Sequence, residues 1–191
     1  YGVYTKNNAH IDIKSKDFSI SDSYIPVYAG GNSSVNIQEA DNIDLNSSHS
    51  GIYSKDSATV AMKSSNFSMT GQYGLNAHGN SSILVEADNV SLDAGALAYG
   101  EDNSKIRLAA NSSGTLHGDV AAYDTSNVSL ELGGTTQWTG SSGKSAEAHL
   151  QVELGDTATW HVVPAYISET EYKPSEASRL QFTDGGIADL A

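Results

Sequence analysis

The stretches GNSSVNIQEADNIDL (residues 31–45) and GNSSILVEADNVSL (79–92) are nearly one phrase, begun 48 residues apart. Midway between them, DSATVAMKSSNFSM (56–69) keeps the same skeleton in different residues. A chain that repeats itself at a fixed interval is assembled from one structural unit, so the period decides the fold.

An apolar-x-apolar pair marks the unit. It reads Ile11/Ile13, Val35/Ile37, Val60/Met62, Ile83/Val85, Ile106/Leu108 and Val128/Leu130, with steps of 24, 25, 23, 23 and 22. A second pair follows in most units, at Phe18/Ile20, Ile43/Leu45, Phe67/Met69 and Val90/Leu92. A third, weaker pair precedes the first, at Val3/Thr5, Val27/Ala29, Ile52/Ser54, Leu75/Ala77 and Ala98/Gly100. Alternation at period 2 is the signature of strands and not of helices.

Three short strands per 22–25 residues, in about six units, predict an all-β fold, a parallel β-helix whose coils stack at roughly 4.8 Å. The members of each pair point inward. The residue between them points out: Asp12, Asn36, Arg107 and Ser129 on the first strand, Ser19, Asp44, Ser68 and Ser91 on the second.

Turn residues keep the same phase. Three positions before the first-strand marker stand Asn8, Asn32, Ser57, Asn80, Asn103 and Thr125. One position before the second stand Asp17, Asn42, Asn66 and Asn89. Such side chains bond their own turns, tolerate left-handed backbone and can ladder from coil to coil.

The chain of 191 residues has a net charge of −13, no cysteine and no apolar run long enough to span a membrane as a helix. The negative charge argues against nucleic acid and anionic membrane surfaces as partners. The chain opens inside a repeat, at YGVYTKNNAHIDI, with no leader pattern, and so reads as a segment of a longer rod.

After about residue 130 the pattern changes character. LELGGTTQWTGSSG (130–143) precedes LQVELGDTATWHVV (150–163), a Glu-rich loop at 164–178, and RLQFTDGGIADLA (179–191). This succession resembles the C-terminal end of autotransporter passenger domains, the secreted part of type V secretion proteins of Gram-negative bacteria. The elements that carry the resemblance are Gly133, Gly134, Trp138, Trp160, Ser178, Leu180/Phe182, Gly185, Gly186 and Ile187/Leu190. The loop holding Pro164 and Pro174 is longer than that pattern usually allows.

The resemblance implies a right-handed parallel β-helix at 1–135, closed by an autochaperone-like cap at 136–191 that covers the open end of the last coil and templates folding during secretion. It implies a location on the bacterial cell surface or in the secreted fraction, reached through the outer-membrane barrel of the same precursor. It also accounts for the missing cysteines, since disulfides obstruct an unfolded chain in a narrow pore.

Catalysis finds little support in the residue pattern. Parallel β-helices also serve as polysaccharide-cleaving enzymes, which need clustered carboxylates on one outer face. The outward candidates Asp12, Asp44 and Arg107 fall on different strands or distant coils, and Asp41 and Asp88 sit in turns two coils apart, about 10 Å. The histidines, His10, His49, His78, His117, His149 and His161, read as sharing no column and as solvated loop residues. No zinc or calcium signature is present, and no cofactor is expected.

One outward column remains. Between the third-strand pairs lie Tyr4, Tyr28, Tyr53, Asn76 and Tyr99, a broken tyrosine stripe that either binds sugar or protein or packs upon itself. The favoured reading is a non-enzymatic adhesin stalk or surface whose partner is a host cell surface, matrix or another bacterial cell. The alternatives are a polysaccharide-cleaving enzyme, or the inert stalk of a passenger whose effector domain lies upstream.

Overall fold

The computed structural model describes residues 1–168 and 171–190. The described residues are all-β, without a helix, and wind into a parallel β-solenoid of about seven turns. The register is the one that the repeats imply. Ile11 pairs with Val35, Val35 with Val60, Val60 with Ile83, Ile83 with Ile106 and Ile106 with Val128. In the middle coils the strands fuse around their corners, so that Thr59–Ala77 and Ser82–Gly100 each run through all three faces.

The inward pairs make one continuous core. Ile37, Leu45, Ile52, Leu75, Val85, Leu92 and Leu108 are wholly buried. The second interior position of the third strand is small throughout, at Ala29, Ser54, Ala77, Gly100 and Ala122, while Val27, Ile52 and Leu75 fill the first in their coils.

The repeats run further than the six marker pairs. Val128 pairs with Leu150 and Val152 with Leu180, carrying the first-strand column to the end of the described chain. No interruption falls at residue 135. Trp138 stacks on Leu116 and beneath Trp160, and Trp160 pairs with Ala188. Leu180 and Phe182 therefore form the outermost coil and do not lie across it as a lid, and they are 41% and 48% exposed. The loop at 164–178 is an antiparallel hairpin of Ala165–Ser168 with Glu171–Lys173. The chain then docks back on Ser142, whose hydroxyl donates to the Glu176 carbonyl at 2.8 Å.

Two devices lock coil to coil. The column Asp17, Asn42, Asn66 and Asn89 is an unbroken hydrogen-bond ladder. Each amide donates to the side-chain oxygen of the coil before, at 2.6, 2.9 and 2.9 Å, and Ser113 extends it by donating to Asn89. The other turn column is different. Only Asn103 to Asn80, at 2.9 Å, makes such a rung among its described members. The left-handed residue of that turn stands one position earlier, at Asn7, Gly31, Asp56, Gly79, Asp102 and Asp124, although Asn8 is also left-handed at φ 57°. There the aspartates reach back: Asp102 accepts from the Gly79 N–H and Asp124 from the Asp102 N–H. This satisfies turn amides that the strand ladder leaves free.

The same device recurs at the corner before the Trp strands, where Asp156 accepts from the Gly134 N–H at 2.9 Å. Gly134, Asp156 and Asp184 share φ values of 59°, 51° and 53°, so the left-handed turn alone does not demand glycine. Space does: a Cβ on Gly134 would come within 1.7 Å of the Ser112 carbonyl oxygen. Gly134→Ala should therefore lose more than about 2 kcal/mol in urea unfolding, whereas Asp156→Gly should shift stability by no more than about 1 kcal/mol. Equal effects of the two would show that backbone angle and not contact selects the glycine.

Candidate functional surfaces

The tyrosine column exists, and it is an aromatic stack. Tyr4 lies on Tyr28 at 4.8 Å and 11° between planes, and Tyr28 on Tyr53 at 5.7 Å and 17°. Asn76, the next member, is buried and carries no ring. His78, two residues on, takes its place between Tyr53 and Tyr99, at 5.4 and 5.8 Å. Its Nδ1 also lies 3.0 Å from Glu101. Tyr1 and Tyr123 extend the stack at its two ends. A second run, Tyr24, His49 and Tyr73, joins it at Tyr99. Sequence reading missed this second run, although its steps of 25 and 24 repeat the coil period.

Ring faces turned toward one another are not free to stack on a ligand. Tyr28 is only 8% exposed, although its position in the repeat is an outward one. Its hydroxyl lies over Gly30, where a Cβ would approach it to 2.8 Å.

Histidines do share columns, contrary to the sequence reading. His117 and His161 stand two coils apart with Thr139 between them, and His10 and His149 occupy the two ends of another column. Two coils are about 10 Å, too far for one metal ion. Among the described residues no three His, Asp or Glu side chains are arranged to hold a metal.

Another face carries a charge ladder. Lys63 contacts Glu86 at 2.7 Å, and Arg107 meets Glu131 through two hydrogen bonds of 2.7 and 2.5 Å while standing 3.9 Å from Glu86. The Lys63 hydrogen bond holds the Glu86 carboxyl below its ordinary range. All four groups are partly exposed, so each pair adds little stability.

One concavity was not foreseen. It is an open groove of about 680 Å³ along the second-strand face, parallel to the rod axis. One wall is the ladder Asn42, Asn66, Asn89, Ser113 and Thr135; the other is Asp44, Ser68, Ser91, Thr115 and Gln137. The rows are separated by one residue per coil, Ile43, Phe67, Val90 and Gly114, which turns inward and leaves a trough above its backbone. The signal was present in the sequence. Short polar residues fill both outward positions of coil after coil, so nothing long rises to cover the face.

No protein-family model, curated protein or solved structure matches the chain.

Burial among the stacked rings raises the phenols of Tyr28, Tyr53 and Tyr99 above their ordinary value of 10.0. The folded chain thus keeps these protons to higher pH than the unfolded chain does. Stability from the stack is present below pH 10 and lost as pH rises through the raised values. The melting temperature should fall between about pH 9 and pH 11, and Tyr53→Phe should fall less steeply. Parallel curves for the two proteins would contradict the buried stack.

Proposed function

We propose that this chain is a non-enzymatic binding segment of a rod-shaped bacterial surface protein of the autotransporter passenger kind, holding a host surface, matrix or neighbouring cell. The observation that carries this reading is the groove. Five successive coils present two polar rows along the rod axis, an extended holding surface. Acid–base cleavage of a glycosidic bond needs two carboxyl groups across the bond. The groove has one, Asp44, and Ser68 donates a hydrogen bond to it at 2.6 Å.

The C-terminal coils support the folding role. Trp138 and Trp160 stack at 4.3 Å and 10°, and each indole N–H donates to a carbonyl, of Gly118 and Gly140. Two large rings in successive coils, anchored at their edges, give a well-defined surface on which further coils form. In this reading the segment leaves the outer-membrane barrel first and templates the rest of the rod.

Fluorescent beads coated with the chain should bind saturably to epithelial cells, to extracellular matrix or to bacteria displaying the same protein. A chain ending at residue 135 should refold from urea in lower yield and bind less. Absence of saturable binding to all three surfaces contradicts the adhesive reading. Equal refolding with and without 136–191 contradicts the templating role.

A further inference from the structure

Because the two rows of the groove differ in how far their hydrogen bonds are used, its chemistry narrows the ligand. Along the asparagine wall, each amide spends an N–H and a lone pair on its neighbours in the ladder, and Asn66 also donates to the Asp41 carbonyl at 3.4 Å, which fixes the side chains in place. On the opposite wall, Ser91, Thr115 and Gln137 make no side-chain hydrogen bond among the described residues, and all three are exposed. Thr135, at the end of the first row, is likewise free and exposed. A pre-set wall of amides, continued by Ser113 and Thr135, thus faces the two open hydroxyls of Ser91 and Thr115 and the free amide of Gln137 across a trough spanning five coils, about 19 Å.

Several ligand classes lack a counterpart here. No lysine or arginine lines the groove, and the molecule carries a net charge of −13, so a sulfated or phosphorylated polymer finds nothing to pair with. With one carboxylate, the groove offers a divalent cation or a basic peptide little hold. An extended peptide binds a sheet through free backbone edges. Here the strand backbones are already paired with the coils above and below. What remains is a linear molecule with many uncharged hydroxyl groups and apolar ring faces narrow enough for the trough.

We propose that the second-strand groove binds an uncharged polysaccharide chain lying along the rod axis, with hydroxyls on Asn66, Asn89, Ser91, Thr115 and Gln137. This deepens the adhesive reading and rests on it, naming the ligand class of the same groove. Binding is by many weak hydrogen bonds repeated from coil to coil, so affinity rises with oligomer length until the groove is filled.

The test titrates the full chain with cellohexaose, maltohexaose and mannohexaose, and with a heparin hexasaccharide as the anionic probe, following backbone amide signals by NMR. At least one neutral oligomer should bind and perturb residues 66–69, 89–92 and 113–116. Heparin should not. Ser91→Trp and Thr115→Trp, each at an exposed strand position, should weaken binding about tenfold or more. Ser129→Trp, outward on the first-strand face, should leave it unchanged. Unaltered melting temperatures identify variants that have merely lost the groove, and either Trp variant suffices. Binding of heparin as tight as that of the neutral oligomers overturns the proposal. So does indifference to both Trp variants, or no binding of any neutral oligomer. A chain that still holds cells while ignoring all neutral oligomers contradicts this inference alone and leaves the adhesive reading standing.

Discussion

The strand peptide groups of each coil find their hydrogen-bond partners in the coils on either side, and only the turns bond within a coil. Thr59–Ala77 pairs with Ser34–Ser47 on one side and Ser82–Gly100 on the other, strand for strand and always parallel. An unpaired buried peptide group is expensive, so no coil is stable alone and every coil must present the same outline to its neighbours. That single demand explains the regular steps of 22–25 residues, the inward pairs and the left-handed turns at constant phase. It also explains why the hairpin at 164–178 lies outside the stack. The extra residues leave the coil and return at Ser142 without disturbing the ladder.

A parallel stack has a second consequence, because it brings equivalent residues of successive coils side by side on the outside as well. Identical side chains then meet their own kind every coil. Asparagines form an amide ladder, tyrosines and histidines form a ring stack, and aspartates cap the turn amides of the coil before. Opposite charges alternate along Lys63, Glu86, Arg107 and Glu131. Each such column spends part of its binding capacity in holding the rod together. A surface available to a partner is therefore one whose column remains unsaturated, and the row Ser91, Thr115 and Gln137 meets that condition. The stacked tyrosines meet it only at their edges.

Much of the fold was legible in the sequence because strand period and coil period are both simple. Pairs such as Val60/Met62 and Ile83/Val85 are related by one fixed step, and the structure pairs them in that register. The last coils were harder to read. Leu150/Val152 continue the pattern at a step of 22, but Leu180 follows Val152 at 28 because the hairpin is inserted between them. Turn chemistry was legible to within one residue: asparagine at 32, 80 and 103 drew the eye, while the left-handed angle sits on Gly31, Gly79 and Asp102. Surfaces were the least legible. Whether an outward Tyr28 is exposed depends on its neighbours' rotamers and on the missing Cβ of Gly30, which a period cannot show. A groove is a shape made by what is short, and short polar residues read first as turn and strand filler.

The central claim, that sequence distance is converted into axial distance one coil at a time, can be measured directly. Ser19, Asp44, Ser68, Ser91, Thr115, Gln137 and Thr159 form one outward column. The chain has no cysteine of its own, so pairs of introduced cysteines can carry spin labels without competition. Double electron–electron resonance between Ser19→Cys and each later member should give distances that grow by about 4.8 Å per coil, reaching about 29 Å at Thr159→Cys. Distances that fail to rise with coil number, or that shorten again at Gln137 or Thr159, would contradict the solenoid and everything built on it.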